Sequence, residues 1–409
     1  MPNNAGVDWQ LTYNNKEEEG AILSSAYSLA KKTTLSSKKV FGKKTNDNWT
    51  NSLFFTENFL GLSHLLKAQK EGELDKIKLI YIDPPFATDQ EFRDRIKGEV
   101  HYADTLIGAP FFEFMRKRFI LLRELLAEAG AIFVHCDWHA SHYLKILLDE
   151  VFSPDNFRNE IHLKRTPKHT AMQFDKVKSL QVACDNLLVY AKSSSTVFNK
   201  PYKEASKRQK RGNWHGFSDN CPRPTMRYKL FGKLPPSPQG RWIWAKERAK
   251  KAIKNYLRYE KALKTGKVSS FEEFAQQHPE MEFVRNNNDS PQYWIRPRQK
   301  IMADTYWGSI QTYSRLFSYA TEKSEYLLAR IIKMASNKGE LVLDCFAGSG
   351  TTGAVAEKLE RKWIMMDNNK LAIDTILNRL TKDLYKKIGN KGKSIKATPF
   401  ILYTIEEKV

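Results

Sequence analysis

The chain has 409 residues, 41% of them hydrophobic and 28% charged, with a formal net charge of +21 and a pI near 9.6. That length and apolar content exclude global disorder and leave room for two or three domains of roughly 100–200 residues each. The charge calls for a polyanionic partner; no run approaches the ~18 apolar residues of a membrane span, and Met1-Pro2-Asn3-Asn4 leads into no apolar signal-peptide core. The four cysteines (Cys136, Cys184, Cys221, Cys345) form no CxxC pair, which fits a reducing cytoplasm better than a disulfide framework or zinc ribbon.

Residues 1–50 are polar, with Lys31-Lys32, Lys38-Lys39 and Lys43-Lys44 spaced through Ser and Thr, and read as a solvated basic arm. From about Leu53 helix and strand patterns alternate. Leu60 to Lys70 is amphipathic and Lys78 to Ile82 is an apolar strand. Phe111 to Ala129 is a long helix closed by Gly130, and Ala131 to His135 is the next strand. A helix over 140–151 follows, then β-like runs at Glu160–Lys164 and Asn186–Ala191. The period breaks over residues 200–310, which hold 24 Lys/Arg against 10 Asp/Glu, so +14 of the +21 sits in about a quarter of the chain. Prolines and five tryptophans (Trp214, Trp242, Trp244, Trp294, Trp307) mark this insertion, with one clear lysine-rich helix near Ala245–Leu263. Alternation resumes with helix 322–336, strand 340–344, helix 351–359, strand 362–367 and helix 369–387.

Two of these strands end in chemistry. Asp83-Pro84-Pro85-Phe86 follows Leu79–Ile82, and Phe346-Ala347-Gly348-Ser349-Gly350 follows Leu341–Leu343. In an open α/β sheet, ligands bind beyond such strand ends. The first motif is a rigid acceptor beside a stacking face; the second is a glycine loop opening a helix. Gly348 to Gly353 also matches the dinucleotide fingerprint, with Asp367 lying 17 residues past Gly350, so a nicotinamide oxidoreductase is a formal alternative.

In their identity and order the two motifs resemble the β-class amino-methyltransferases of DNA, over about residues 53–200 and 310–385. The resemblance implies a Rossmann-like α/β fold with a mostly parallel, seven-stranded sheet and S-adenosyl-L-methionine as donor. It divides the chain into a basic arm (1–50), a catalytic half (51–200), a target-recognition insertion (201–310), a cofactor half (311–390) and a C-terminal segment (391–409). Asp83 and the Pro84 carbonyl would accept the N–H bonds of an exocyclic amino group, localising its lone pair for in-line attack, while Phe86 stacks on the flipped base. Pro85 keeps that turn rigid. Aspartate in first place favours adenine N6 over cytosine N4, whose β-class enzymes usually carry serine there. No Pro-Cys dipeptide offers a nucleophile for cytosine C5.

On the cofactor side, the resemblance assigns donor contacts to Phe346, Ala347, Gly348, Ser349, Gly350 and Asp367. Cys345 stands where the family usually has proline. Thr321-Glu322-Lys323-Ser324 is similar to the family's Thr-Glu/Gln-Lys-Pro box, with Thr321 expected to cap the helix and Lys323 to reach the methionine carboxylate. Glu57 and Asn58 sit where the family has a Gly-Asp-Asn turn. The segment Ala87–Ala109 reads as a lid. His135-Cys136-Asp137-Trp138-His139 is a strand-to-helix turn rather than a metal cluster, and no metal is expected. In the insertion, Arg223, Arg227 and Arg241 are candidate base readers because a guanidinium fork can grip guanine bidentately. The implied partner is double-stranded DNA in a bacterial cytoplasm, with a restriction endonuclease subunit and a homodimer left open. A DNA-binding protein that has lost catalysis is the remaining alternative.

Overall fold

The computed structural model describes residues 9–42, 49–85, 90–93, 100–104, 108–165, 180–314, 319, 321–389 and 391–408. They form two compact units, residues 1–201 with 303–409, and residues 202–302.

The larger unit is built on a nine-stranded sheet: β1 Thr33–Phe41, β2 Asn51–Phe55, β3 Ile77–Ile82, β4 Leu126–Cys136, β5 Phe157–Lys164, β6 Cys184–Ala191, β7 Leu341–Asp344, β8 Lys362–Asp367 and β9 Phe400–Glu407. Their order is β1-β9-β2-β8-β7-β3-β4-β6-β5, parallel from β9 through β4, with β1 and β6 antiparallel to their neighbours. Seven strands were expected. The other two are β1 and β9, which extend the sheet beyond β2 and come from segments with little apolar alternation. The lysine-rich stretch before residue 50 is thus folded over residues 19–41, as helix α1 (Glu19–Lys32) and β1. Exposed Lys38 and Lys39 on this edge strand discourage pairing with other chains.

Six more helices cover the sheet: α2 Asn58–Lys70, α3 Ala109–Leu125, α4 Ser141–Phe152, α5 Glu325–Ala335, α6 Thr351–Lys358 and α7 Lys370–Thr381. The central strands are apolar on both sides because both faces are covered. Ile80 and Ile82 of β3 pack in one core with Leu62 of α2, Phe119 of α3 and Leu144 of α4. Leu79 and Tyr81 point into the other, with Leu327 of α5, Ala354 of α6 and Ile376 of α7. Two element ends differ from expectation. α3 stops at Leu125 because Leu126 already pairs with Ile77, and β4 then bulges before resuming at Ala131. α7 stops at Thr381, and the chain turns into a short hairpin, Tyr385–Lys387 with Lys391–Ser394.

The smaller unit has a three-stranded antiparallel sheet (Asn213–Gly216, Ser290–Ile295, Val284–Asn287) and helices Lys246–Lys264 and Phe271–Gln277. Its tryptophans are mostly interior: Trp242 and Trp244 pack with Phe217 and Tyr228, and Trp294 packs with Phe271 and Phe283. Lys250, Lys251, Lys254, Arg258 and Lys261 lie exposed along one side of the long helix.

Candidate active site

β3 and β7 lie side by side and parallel, with Val342 opposite Leu79 and Leu343 opposite Ile80. Their carboxyl ends therefore open at one place, and motifs far apart in the chain meet there. A cavity of about 320 Å³ fills the junction, near the lower end of the roughly 300–1,000 Å³ common for small-molecule sites. Its walls include Glu57, Asn58, Asp83, Pro84, Pro85, Thr321, Lys323, Phe346, Ala347, Gly348, Ser349 and Asp367, so these expected residues converge. Gly350 sits just behind the wall as the residue before α6, at φ +71°. Phe86 lies outside the described residues. Of the expected lid, residues 90–93 and 100–104 pair as an antiparallel hairpin.

Asp83 makes two different contacts. Its Oδ2 accepts from Lys323 Nζ, an ion pair whose lysine side chain is only 6% exposed. Its Oδ1 is buried and has no hydrogen-bond partner among the described residues. Behind it stands His135 of β4, with Nδ1 3.9 Å from Oδ1 and 3.1 Å from the Tyr81 hydroxyl. Lys323, expected to face a methionine carboxylate, thus contacts the Asp83 carboxylate here. Thr321 lines the cavity and does not cap α5; Ser324 does, accepting from Tyr326 N at 3.3 Å. The serine that replaces the family's proline supplies the cap itself.

The glycine loop is tied down by carboxylates. Asp367 at the end of β8 accepts from Gly348 N (2.8 Å) and Asn369 N (2.9 Å). Asp344 accepts from Phe346 N (3.0 Å) and Thr352 Oγ1 (2.5 Å). Burial pushes both carboxyls up, Asp344 to about 7 and Asp367 to about 6, more than these hydrogen bonds pull them down. Glu57 caps α2 through Leu60 N (3.2 Å) and pairs with buried Arg118, while Asn58 Nδ2 donates to the Cys345 carbonyl (3.1 Å).

The raised carboxyls have a measurable consequence. Asp344 binds its proton more tightly folded than at its ordinary 3.8, so the folded state holds the extra proton between about pH 4 and 7, and stability falls as pH rises through that window. Asp344→Asn removes this term. Urea midpoints of the variant are expected to gain on wild type between pH 4 and pH 7; a difference that stays constant with pH would show that Asp344 titrates normally.

Several residues of this site escaped the sequence reading. Arg379 of α7, 1% exposed, donates to the Ser349 carbonyl (3.0 Å) and Thr351 Oγ1 (3.0 Å), and pairs with Glu322 (3.1 Å). It straps the glycine loop to the Thr321–Ser324 segment. One signal was available: Arg379 falls on the apolar stripe of Ala372, Ile373, Ile376 and Leu380, where an unpaired charge would be costly. Tyr319 and Phe114 add aromatic walls to the cavity. Asp137 accepts from the backbone N (2.9 Å) and Nδ1 (2.8 Å) of His139 and so shapes the turn after β4. Among the described residues no group of three His, Cys, Asp or Glu is placed to hold a metal ion. Of the three candidate arginines, all in the smaller unit, Arg223 is exposed. Arg227 donates to the Ser237 and Gly240 carbonyls (both 2.9 Å) and Arg241 pairs with Asp219 (2.8 Å), so those two guanidinium groups brace their own unit.

The fold is thus an α/β sheet in which the Asp83 motif and the glycine loop share one cavity at adjoining strand ends. A family model described as DNA methylase, for the N6 and N4 methyltransferases, matches residues 77–378, and the chain belongs to that family. It is 28% identical over 394 residues to the type II methyltransferase M.EcaI of Enterobacter cloacae, covering 91% of this chain and 78% of that protein. It is 25% identical over 408 residues to the type III restriction-modification enzyme StyLTI Mod subunit of Salmonella typhimurium, covering 85% of this chain but only 58% of that subunit. The DNA adenine methyltransferase YhdJ of Escherichia coli is 42% identical over 87 residues, 21% of this chain and 26% of its own. The chain is a DNA methyltransferase, and its donor is S-adenosylmethionine; the nicotinamide reading of the glycine loop falls. The chemistry of the cavity lining is compatible with that donor, since it combines acidic side chains (Asp344, Asp367), aromatic ones (Phe114, Phe346, Tyr319) and a lysine (Lys323). No helix among the described residues is long and apolar enough to cross a membrane.

Proposed function

We propose that the protein methylates the N6 amino group of adenine in double-stranded DNA. The observation that carries this is Asp83 Oδ1, a buried carboxylate oxygen left unpaired at the cavity, where a serine would mark a cytosine-N4 enzyme. That oxygen and the Pro84 carbonyl accept the two amino N–H bonds, which draws the nitrogen lone pair out of conjugation. Bound donor supplies an electrophilic methyl group. The base reaches the site by leaving the helix, since its amino group is inaccessible in the stack. The similarity to the DNA adenine methyltransferase YhdJ supports the choice of base.

The basic unit 202–302 is the proposed reader of target sequence. Its lysine-lined helix grips phosphates, and Arg223, exposed, is a better base reader than Arg227 or Arg241. The restriction-modification relatives suggest a companion nuclease. Incubation with tritiated donor and DNA, followed by digestion to nucleosides, is expected to place the label in N6-methyladenine. Label in N4-methylcytosine would overturn the base assignment, and no label would overturn the activity.

A further inference from the structure

We propose that Trp138 and His139 form a stacking platform for a base of the substrate DNA that loses its neighbour when the target nucleotide leaves the helix. This rests on Asp83 as the residue that receives the target base, whichever base is methylated.

The platform stands where the duplex must pass. β3 and β4 run parallel with Ile82 opposite Val134, so Asp83 comes to lie beside His135, with Oδ1 and Nδ1 3.9 Å apart. Trp138 follows His135 by three residues, a reach of at most about 11 Å of chain. Successive nucleotides of one strand are about 3.4 Å apart along the helix. A nucleotide presented to Asp83 therefore brings its nearest neighbours within reach of Trp138.

Exposure and rigidity coincide at this turn. Trp138 is 51% exposed, and His139, His142 and Tyr143 are exposed beside it in the sequence. A single exposed tryptophan is ordinary, but this one rests on a fixed partner. Buried Asp137 accepts from His139 through the backbone N (2.9 Å) and Nδ1 (2.8 Å), which holds the imidazole in place. The Trp138 ring lies against that imidazole, with centroids 3.7 Å apart and planes inclined by 31°. On the first turn of α4, Tyr143 packs on Phe112 of α3 at 4.8 Å. None of these four side chains lines the cavity beside Asp83, so they border the site without belonging to the donor pocket.

The chemistry creates the need that such a surface meets. Withdrawing one nucleotide unstacks the bases on either side of it, which costs free energy. An aromatic face offers a replacement stack to any base, and a ring already held in place loses little freedom on binding. A protein partner fits less well, because a stable interface takes about 800 Å² on each side. Four side chains fall well short of that, whereas one base needs only one ring face.

Trp138→Ala and Trp138→Phe test this in the full chain, on a duplex carrying the sequence that wild type methylates. The dissociation constant for that duplex is expected to rise about tenfold or more in Trp138→Ala and to stay within about threefold of wild type in Trp138→Phe. Affinity for S-adenosylmethionine and the melting temperature should be unchanged in both. The loss should be much smaller on a duplex of unrelated sequence, from which no nucleotide is withdrawn. In wild type, an iodinated uracil placed next to the target nucleotide should cross-link under irradiation to the peptide that holds Trp138. Wild-type DNA affinity in a folded Trp138→Ala protein would overturn the proposal, and so would an equal loss on both duplexes or cross-links that all map elsewhere. A change in sedimentation with DNA affinity intact would assign the surface to a protein contact and overturn it as well. Should Trp138→Ala fail to fold, Trp138→Phe and the wild-type cross-link decide. Turnover by Asp83→Ala would refute the Asp83 reading, whereas an inactive Asp83→Ala beside wild-type DNA affinity in Trp138→Ala would refute the platform alone.

Discussion

An Asp83→Ala protein is expected to bind S-adenosylmethionine and transfer no methyl group. The carboxylate is asked to hold the amino nitrogen in a reactive form, and loss of one such preorganised acceptor typically costs about 10²–10³ in kcat. The alanine variant removes a second interaction too, because Lys323, almost buried, contacts the same carboxylate. Some loss of stability is therefore expected with it, since breaking a buried ion pair from one side is destabilising. Asp83→Asn is the cleaner companion. It keeps the shape and one acceptor oxygen while discarding the charge, and should retain the melting temperature more nearly. In both variants Lys323 is released toward a donor carboxylate, so calorimetry should find donor affinity equal to wild type or tighter. Turnover within tenfold of wild type by a folded Asp83→Ala enzyme would remove Asp83 from the chemistry.

The second large effect lies in the glycine loop, where two glycines separate binding from folding. Gly348 has φ +51°, and a Cβ built there meets nothing nearer than the Tyr319 ring at 3.5 Å. Its amide is held by Asp367 and the residue lines the cavity. Gly348→Val puts a β-branched side chain into the donor's space and into a left-handed conformation, which costs about 1–2 kcal/mol. Donor affinity should fall at least tenfold while the far-ultraviolet circular dichroism stays native. Gly350 differs: its φ is +71° and its Cβ would come within 2.7 Å of Ile376 Cγ1. Gly350→Val must push α6 off α7, so a lowered melting temperature should accompany lost binding. Unchanged donor affinity in a folded Gly348→Val protein would move the cofactor site elsewhere.

Much of this site was legible in the chain because it is local. An apolar run marks a covered strand, and the residues just after it stand where ligands bind, so Asp83 and Gly348 could be placed with no knowledge of sheet order. The basic stretch before residue 50 was less legible. β1 is exposed at most positions and carries lysines, and such an edge strand lacks the alternation that betrays a half-buried one. In the insertion, tryptophans mark the segment and three arginines stand as candidate base readers, yet Trp242 and Trp294 are core, and Arg227 and Arg241 hold their own unit together. Composition reports that such residues are present, not which way they face.

By itself, then, the sequence determined the class of reaction and the concentration of positive charge in one segment, and it singled out Asp83 and the glycine loop, which the structure brings to one cavity. Each is written in residues close together or in simple counts. The tertiary structure decided what surrounds Asp83. Lys323 reaches it from 240 residues away, Tyr81 meets His135 across 54, and Tyr313 meets Asp185 across 128. Those distances close only because β7, β3, β4 and β6 lie in that order in the sheet, and no local pattern encodes the order. Strand order follows from which apolar faces the helices can cover together, a property of the whole packed chain.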